Sequence, residues 1–197
     1  FYSADVPTYT FDVTKANALL DEAGYARNAN GTRFNLKLLP APYFNETRQF
    51  GDYLRQALAA VGINAELVNN DSAAHQKAVY TDHAFDLAIA PPVFRGDPAI
   101  STTILVQSGI PAGVPFSNQG GYKNAELDAL IEQAASELDE SKRIALYKDF
   151  QKRVATDLPL INVAEWGFIT VARSTVKNVS NNPRWAVSNW ADTWVEA

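Results

Sequence analysis

Cysteine and methionine are both absent from the 197 residues, and histidine occurs twice. Without thiols there is no disulfide, no thiolate nucleophile and no cysteine-containing metal site, and the composition leaves the redox compartment open. His75 and His83 fit neither one helical face nor the usual i, i+4 zinc pairing, so each reads as a surface histidine and no metal is expected. Positive charge is in short supply. The 17 Lys and Arg against 22 Asp and Glu leave a net charge of −5, so no broad cationic field invites nucleic acid or an anionic membrane. No apolar run approaches the roughly 18 residues of a membrane-spanning helix, and the opening FYSADVPTYT lacks a basic segment leading into an apolar one. There is no G-x-S-x-G elbow and no glycine-rich phosphate cradle before Lys-Ser/Thr, so neither catalysis nor a cofactor is expected. With no methionine even at position 1, the chain reads as a processed product or a segment of something longer.

What is present is 47% hydrophobic residues, enough to bury a substantial core. Asp12, the apolar Ala16, Leu19, Leu20 and Ala23, and Gly24 predict a capped helix over 13–23. Residues 34–39 read as a strand halted by Pro40 and Pro42. A helix ending at Gly62 and a strand over 63–68 follow, making a βαβ unit with parallel strands. A short helix over 73–80 and a strand over 85–90 extend the alternation, which indicates an α/β layered domain. A short helix over 101–107 and a Pro/Gly-rich loop over 109–121 come next. Two amphipathic helices over 124–138 and 140–156 then form an antiparallel pair, with Leu127, Leu130, Ile131, Ala134, Ile144, Leu146, Tyr147, Phe150 and Val154 inward. Residues 158–163 read as a strand continued through 168–171. The tail from Ser174 carries Trp185, Trp190 and Trp194, a density of large aromatics that needs a surface to pack on.

Arg95-Gly96-Asp97 spells a triplet familiar from adhesion signals, but Asp97-Pro98 is also a favoured N-cap and first helical residue. The capping reading is preferred. Residues 90–96 then join the end of a buried strand to a helix start, and in open α/β sheets ligands bind in such a crevice.

Several stretches taken together resemble one family: FDVTKANALLDEAGY (11–25), RQALAAVGINAEL (55–67), FDLAIAPPVFRGDPA (85–99), the long run 121–161 and VKNV (176–179). The family is that of the extracellular solute-binding proteins of peptide, nickel and related ABC importers, called family 5 or cluster C. The resemblance implies a periplasmic-binding-protein-like (type II) α/β lobe, a mixed sheet flanked by helices. Residues 1–165 would be a C-terminal ligand-binding lobe, and 166–197 a tail crossing back to an N-terminal lobe absent here. It also implies a non-enzymatic protein at the periplasm or cell surface, which closes over a small polar solute, a peptide or related molecule, and hands it to an ABC permease. A ligand-sensing domain of a regulator and a hydrolase are the competing readings.

Peptide-binding relatives carry an acidic residue three positions before the aspartate of the Asp-Pro pair, where this sequence has Phe94. Dipeptide-type relatives place a basic residue after the strand matching 34–39, and Pro40-Ala41-Pro42-Tyr43 has none. Arg95 becomes the candidate anchor for a ligand carboxylate. Phe94, Tyr43 and Phe116 would supply apolar or stacking walls, with Asn118 and Tyr122 on the segment that lines the cleft. Asp97 is the structural helix cap.

Overall fold

The computed structural model describes residues 1–91, 96–165, 171–179 and 190–196. They form two compact units, Phe1–Leu160 and Ile161–Ala197; the boundary expected from the sequence was at 165.

In the larger unit, α1 (Val13–Glu22) is capped by Asp12, whose carboxylate accepts from Lys15 N at 2.8 Å. It stops at Gly24, where φ is +86°. There Gly24 N bonds to Asp21 O and Tyr25 N to Leu20 O, the paired closure that a left-handed residue permits. The sheet consists of β1 (Phe34–Pro40), β2 (Ile63–Leu67) and β3 (Leu87–Ile89), in the order β2-β1-β3. Both pairings are parallel, with Leu38 opposite Leu67 on one side and Leu87 on the other. Across its three described strands the sheet expected as mixed is therefore parallel.

Alternation along the strands sends Leu38, Pro40, Leu67 and Ile89 to one face and Leu39 and Ala88 to the other. The helix α2 (Asn45–Ala60) covers the first face so closely that a Cβ at Gly51 would stand 2.8 Å from Pro40 Cγ. On the second face Leu39 packs with Val79 and Tyr80. These belong to a π turn, Lys77–Thr81, that continues α3 (Ser72–Gln76) and replaces the last turn of the helix expected there.

The helices α4 (Ala125–Ser136) and α5 (Glu140–Asp157) bury Leu127, Ile131, Ala134, Tyr147 and Phe150 together with Val106. Two sequence expectations fail around them. The helix expected over 101–107 is two single 3₁₀ turns, Pro98–Ile100 and Thr103–Leu105. The strand expected over 158–163 does not form: Leu158 takes a left-handed conformation (φ 51°) to close α5, and Pro159 then has no N–H to offer a ladder. The continuation at 168–170 lies outside the described residues.

The smaller unit holds β4 (Val176–Lys177) antiparallel to β5 (Trp194–Val195). Lys177 and Glu196 form an ion pair at 2.8 Å. Trp190 and Trp194 are about half exposed, and Trp185 lies outside the described residues.

Candidate ligand-binding site

The connections from β1 diverge. The path to β2 runs through α2 on one face, whereas the path from β2 to β3 returns across the opposite face through α3 and the π turn. That reversal makes the carboxyl ends of β1 and β3 the topological switch point, the place where open α/β sheets take ligands. Ala41 N donates to Ile89 O at 2.8 Å and holds the two strand ends together there.

The loop after β1 is a rigid mount. The hydroxyl of Thr47, a buried residue in the first turn of α2, donates to Ala41 O (2.5 Å) and Phe44 O (2.7 Å). This fixes Tyr43, which is 37% exposed. Its phenolic oxygen accepts from Gln76 Nε2 at 3.1 Å, and its ring meets that of His75 edge-on at 6.0 Å. Tyr80 is buried, and its ring lies 6.1 Å from that of Phe116, which is about half exposed at φ 58°. Tyr43 with His75 and Tyr80 with Phe116 thus form two ring pairs, and the Tyr43 phenol is near enough to Tyr80 to act on its pKa.

Burial governs the protonation of His75 and Tyr80. It lowers the pKa of His75 below the ordinary imidazole value, keeping the ring neutral at pH 7. It also raises the pKa of Tyr80, outweighing the Phe116 backbone amide, with the nearby Tyr43 phenol adding to the rise. The expectation that His75 lies on the surface is overturned: it is 2% exposed, and its Nδ1 is buried without a hydrogen-bond partner. A readable signal existed in Val79, which stands one helical turn after it on the inward face. His83 is exposed, with φ 49°.

The other candidates have different surroundings. Asn118 accepts from Tyr122 N (3.1 Å) and donates to Tyr122 O (2.7 Å) and Gln107 O (3.0 Å), so its amide is engaged in closing the loop. Tyr122 packs against the α4–α5 core and donates its hydroxyl to Asp157. Phe94 and Arg95 lie outside the described residues. Asp97, at the end of that loop, accepts from Ala99 N at 2.9 Å. Its carboxylate is also gripped by Arg143 of α5, a partner that local sequence pattern does not reveal. That guanidinium holds the Asp97 carboxyl below the usual carboxylate range, with the Ala99 N–H adding to the effect. Among the described residues no group of three or more His, Cys, Asp or Glu is placed to hold a metal ion.

The pattern of the family described as "Bacterial extracellular solute-binding proteins, family 5 Middle" matches residues 1–109. The dipeptide-binding protein of Escherichia coli (strain K12) is 27% identical over 184 residues, covering 92% of this chain and 34% of the relative. Heme-binding protein A of Haemophilus influenzae is 26% identical over 168 residues, covering 83% and 29%. Among solved structures, HbpA2 from Haemophilus parasuis superposes with a TM-score of 0.69 at 25% identity, covering 80% of this chain and 30% of that one. The oligopeptide-binding protein AppA from Bacillus subtilis, solved with a nonapeptide, reaches 0.76 over the whole chain and 40% of its own, at 18% identity, which speaks for the fold alone. The chain spans about a third of the length of the relatives it matches. The α/β fold is that of a type II periplasmic-binding-protein lobe. The family's own description is of extracellular solute binding, not catalysis. The chain belongs to the bacterial extracellular solute-binding proteins of family 5.

Proposed function

We propose that this chain forms one lobe of the solute-binding component of an ABC importer. The lobe holds a small polar solute, a peptide or related molecule, against a second lobe and delivers it to the permease without chemical change. The single observation that carries the reading is the topological switch point between β1 and β3 in a chain of this family. Affinity comes from burial between two lobes, and closure signals occupancy. Residues 1–165 act as the lobe and 166–197 as a tail that packs on its partner, in a protein working at the periplasm or cell surface. Tyr43 and Phe116 wall the site together with Phe94 and Arg95; Asn118 and Tyr122 shape the loop beside them.

The test is native mass spectrometry of the full-length protein purified from its own source, followed by calorimetry with the solute found. A bound small molecule released unchanged is the expected result. Arg95→Ala should weaken that solute about tenfold or more, as loss of a charged anchor does. Turnover of the solute, or no bound molecule together with unimpaired uptake in a strain lacking the gene, overturns the reading.

A further inference from the structure

Asn30-Gly31 is the single Asn-Gly pair of the sequence. It sits on the tight turn between α1 and β1, where Asn28 N donates to Thr32 O (2.8 Å) and Gly31 N to Asn28 O (3.0 Å). Asparagine is a thermolabile residue, and its weak point is attack on the side-chain Cγ by the backbone nitrogen that follows. The turn favours that attack in two ways. Asn30 is exposed and Gly31 has no side chain to obstruct ring closure; at its φ of +86° even an added Cβ would meet nothing within 4 Å. The Thr32 N–H, shared between Asn28 Oδ1 (3.0 Å) and Asn30 Oδ1 (3.1 Å), closes a ring that brings the Asn30 carboxamide alongside the Gly31 nitrogen and polarises its carbonyl. The Gly31 N–H must first leave Asn28 O, an opening of the kind exposed turns undergo at low cost. Asn28 is exposed on the same turn, but Ala29 follows it and puts a methyl group beside the nitrogen.

We propose that Asn30 is a site of spontaneous deamidation and that its isoaspartate product loosens α1. Gly31 N gives its proton to a solvent base and forms a bond to Asn30 Cγ. The Cγ–Nδ2 bond breaks, and Nδ2 leaves as ammonia with a proton from water, which closes a five-membered succinimide. Water then opens one of the two ring carbonyls, giving aspartate or, where the backbone carbonyl is opened, isoaspartate; one water is consumed for each ammonia released. Isoaspartate lengthens the backbone of the turn by one methylene. The Gly31 carbonyl has no room to take up that length, because it accepts from Arg27 Nη1 at 2.8 Å and lies 3.0 Å from where a Cβ of Gly62 would stand. Arg27 in turn donates to Asn17 Oδ1 of α1 (3.0 Å) and to Ala60 O at the end of α2 (3.1 Å). Since α1 has no buried residue, displacing Arg27 weakens one of the polar ties that hold it.

The test ages the folded full-length protein at mildly alkaline pH and follows it by peptide mass mapping, with isoaspartyl methyltransferase labelling and hydrogen exchange. Asn30 should convert at least about tenfold faster than Asn28 in the same peptide, and faster as the pH rises, because the nucleophile is the deprotonated amide. Exchange over residues 13–25 should rise about two- to tenfold in the isoaspartate form, the worth of one hydrogen bond. Aged Asn30→Gln, whose longer side chain does not close the five-membered ring, should show neither change. Conversion of Asn28 as fast as Asn30, retention of the Asn30 amide for as long as the protein stays folded, or unchanged exchange over 13–25 in the isoaspartate form overturns the proposal.

Discussion

Arg143 grips Asp97 with two parallel hydrogen bonds of 2.8 Å across 46 residues of sequence. The same guanidinium donates to Ala134 O (2.9 Å) and to the Tyr147 hydroxyl (3.3 Å), and lies 5.3 Å from the Phe1 ring centroid. One side chain therefore joins the end of α4, the start of α5, the N-terminal segment and the cap of the 3₁₀ turn that begins at Pro98. Asp97→Ala removes both the cap and the pair, and the cap alone is worth about 0.5–2 kcal/mol. A fall of a few degrees in Tm is expected, at roughly 2–4 °C per kcal/mol for a chain of this size. Asp97→Asn keeps a capping oxygen and loses only the charge, so it should fall less; equal losses in the two variants would show that the cap contributes nothing. Because Arg143 depresses the folded-state pKa of Asp97, the pair's contribution is complete above the ordinary carboxylate value of about 4 and fades as the pH drops below it.

His75 acts over a higher pH range with the same sign. Its folded-state pKa lies below the unfolded value because burial penalises the cation. The unfolded chain therefore binds the extra proton first, and stability falls as the pH drops below the ordinary imidazole value of about 6.5. Thermal melts of the wild type between pH 7.5 and 5.5 should show Tm declining toward acid. His75→Gln, which cannot take up that proton, should show a flatter profile over the same range; equal slopes would remove His75 as the source.

Gly51 sits where α2 crosses the sheet, and an added Cβ would lie 2.8 Å from Pro40 Cγ and 3.0 Å from Leu67 Cδ2. Gly51→Ala gains up to about 1 kcal/mol of helix propensity. It also forces an overpacked contact costing about 1–3 kcal/mol, and the proline ring cannot swing aside. Overpacking should win, lowering Tm by a few degrees. A rise in Tm would mean that α2 shifts freely along the sheet.

The βαβ unit and the α4–α5 pair were legible because each depends on local signals: strand alternation, helical spacing and the glycines that stop the helices. The Asp97–Arg143 joint was not, since its two residues are brought together by tertiary packing and Arg143 looks like an ordinary charged residue on an amphipathic helix. The apolar run of Leu158 and Leu160 read as a strand, but closure of α5 by a left-handed Leu158 overrode it. The burial of His75 was within reach, because the inward Val79 lies four residues later on the same face. The lack of a hydrogen-bond partner for its Nδ1 was not, because hydrogen-bond satisfaction depends on the whole neighbourhood.

The apolar face assigned to α1 also fared differently from expectation, and that leads to a prediction. No residue of α1 is buried, and Leu19 is 53% exposed. The helix is held instead through Arg33, whose side chain is only 2% exposed. Its Nε donates to Val61 O (2.9 Å), one terminal nitrogen to Asn17 Oδ1 (3.0 Å), and the other to Asp21 and Tyr25 O. Arg27 reinforces the joint, donating to Asn17 Oδ1 (3.0 Å) and Ala60 O (3.1 Å). An ammonium cannot reproduce a fork that serves four acceptors, so Arg33→Lys should strand carbonyl groups at about 1–3 kcal/mol each where they stay buried. Hydrogen exchange over residues 13–25 should rise at least about tenfold in Arg33→Lys while β1 keeps its protection. Leu19→Ala, which removes a half-exposed side chain worth about 1 kcal/mol, should change it far less. If Leu19→Ala loosens α1 more than Arg33→Lys does, the helix is held by its apolar contacts and the guanidinium is incidental.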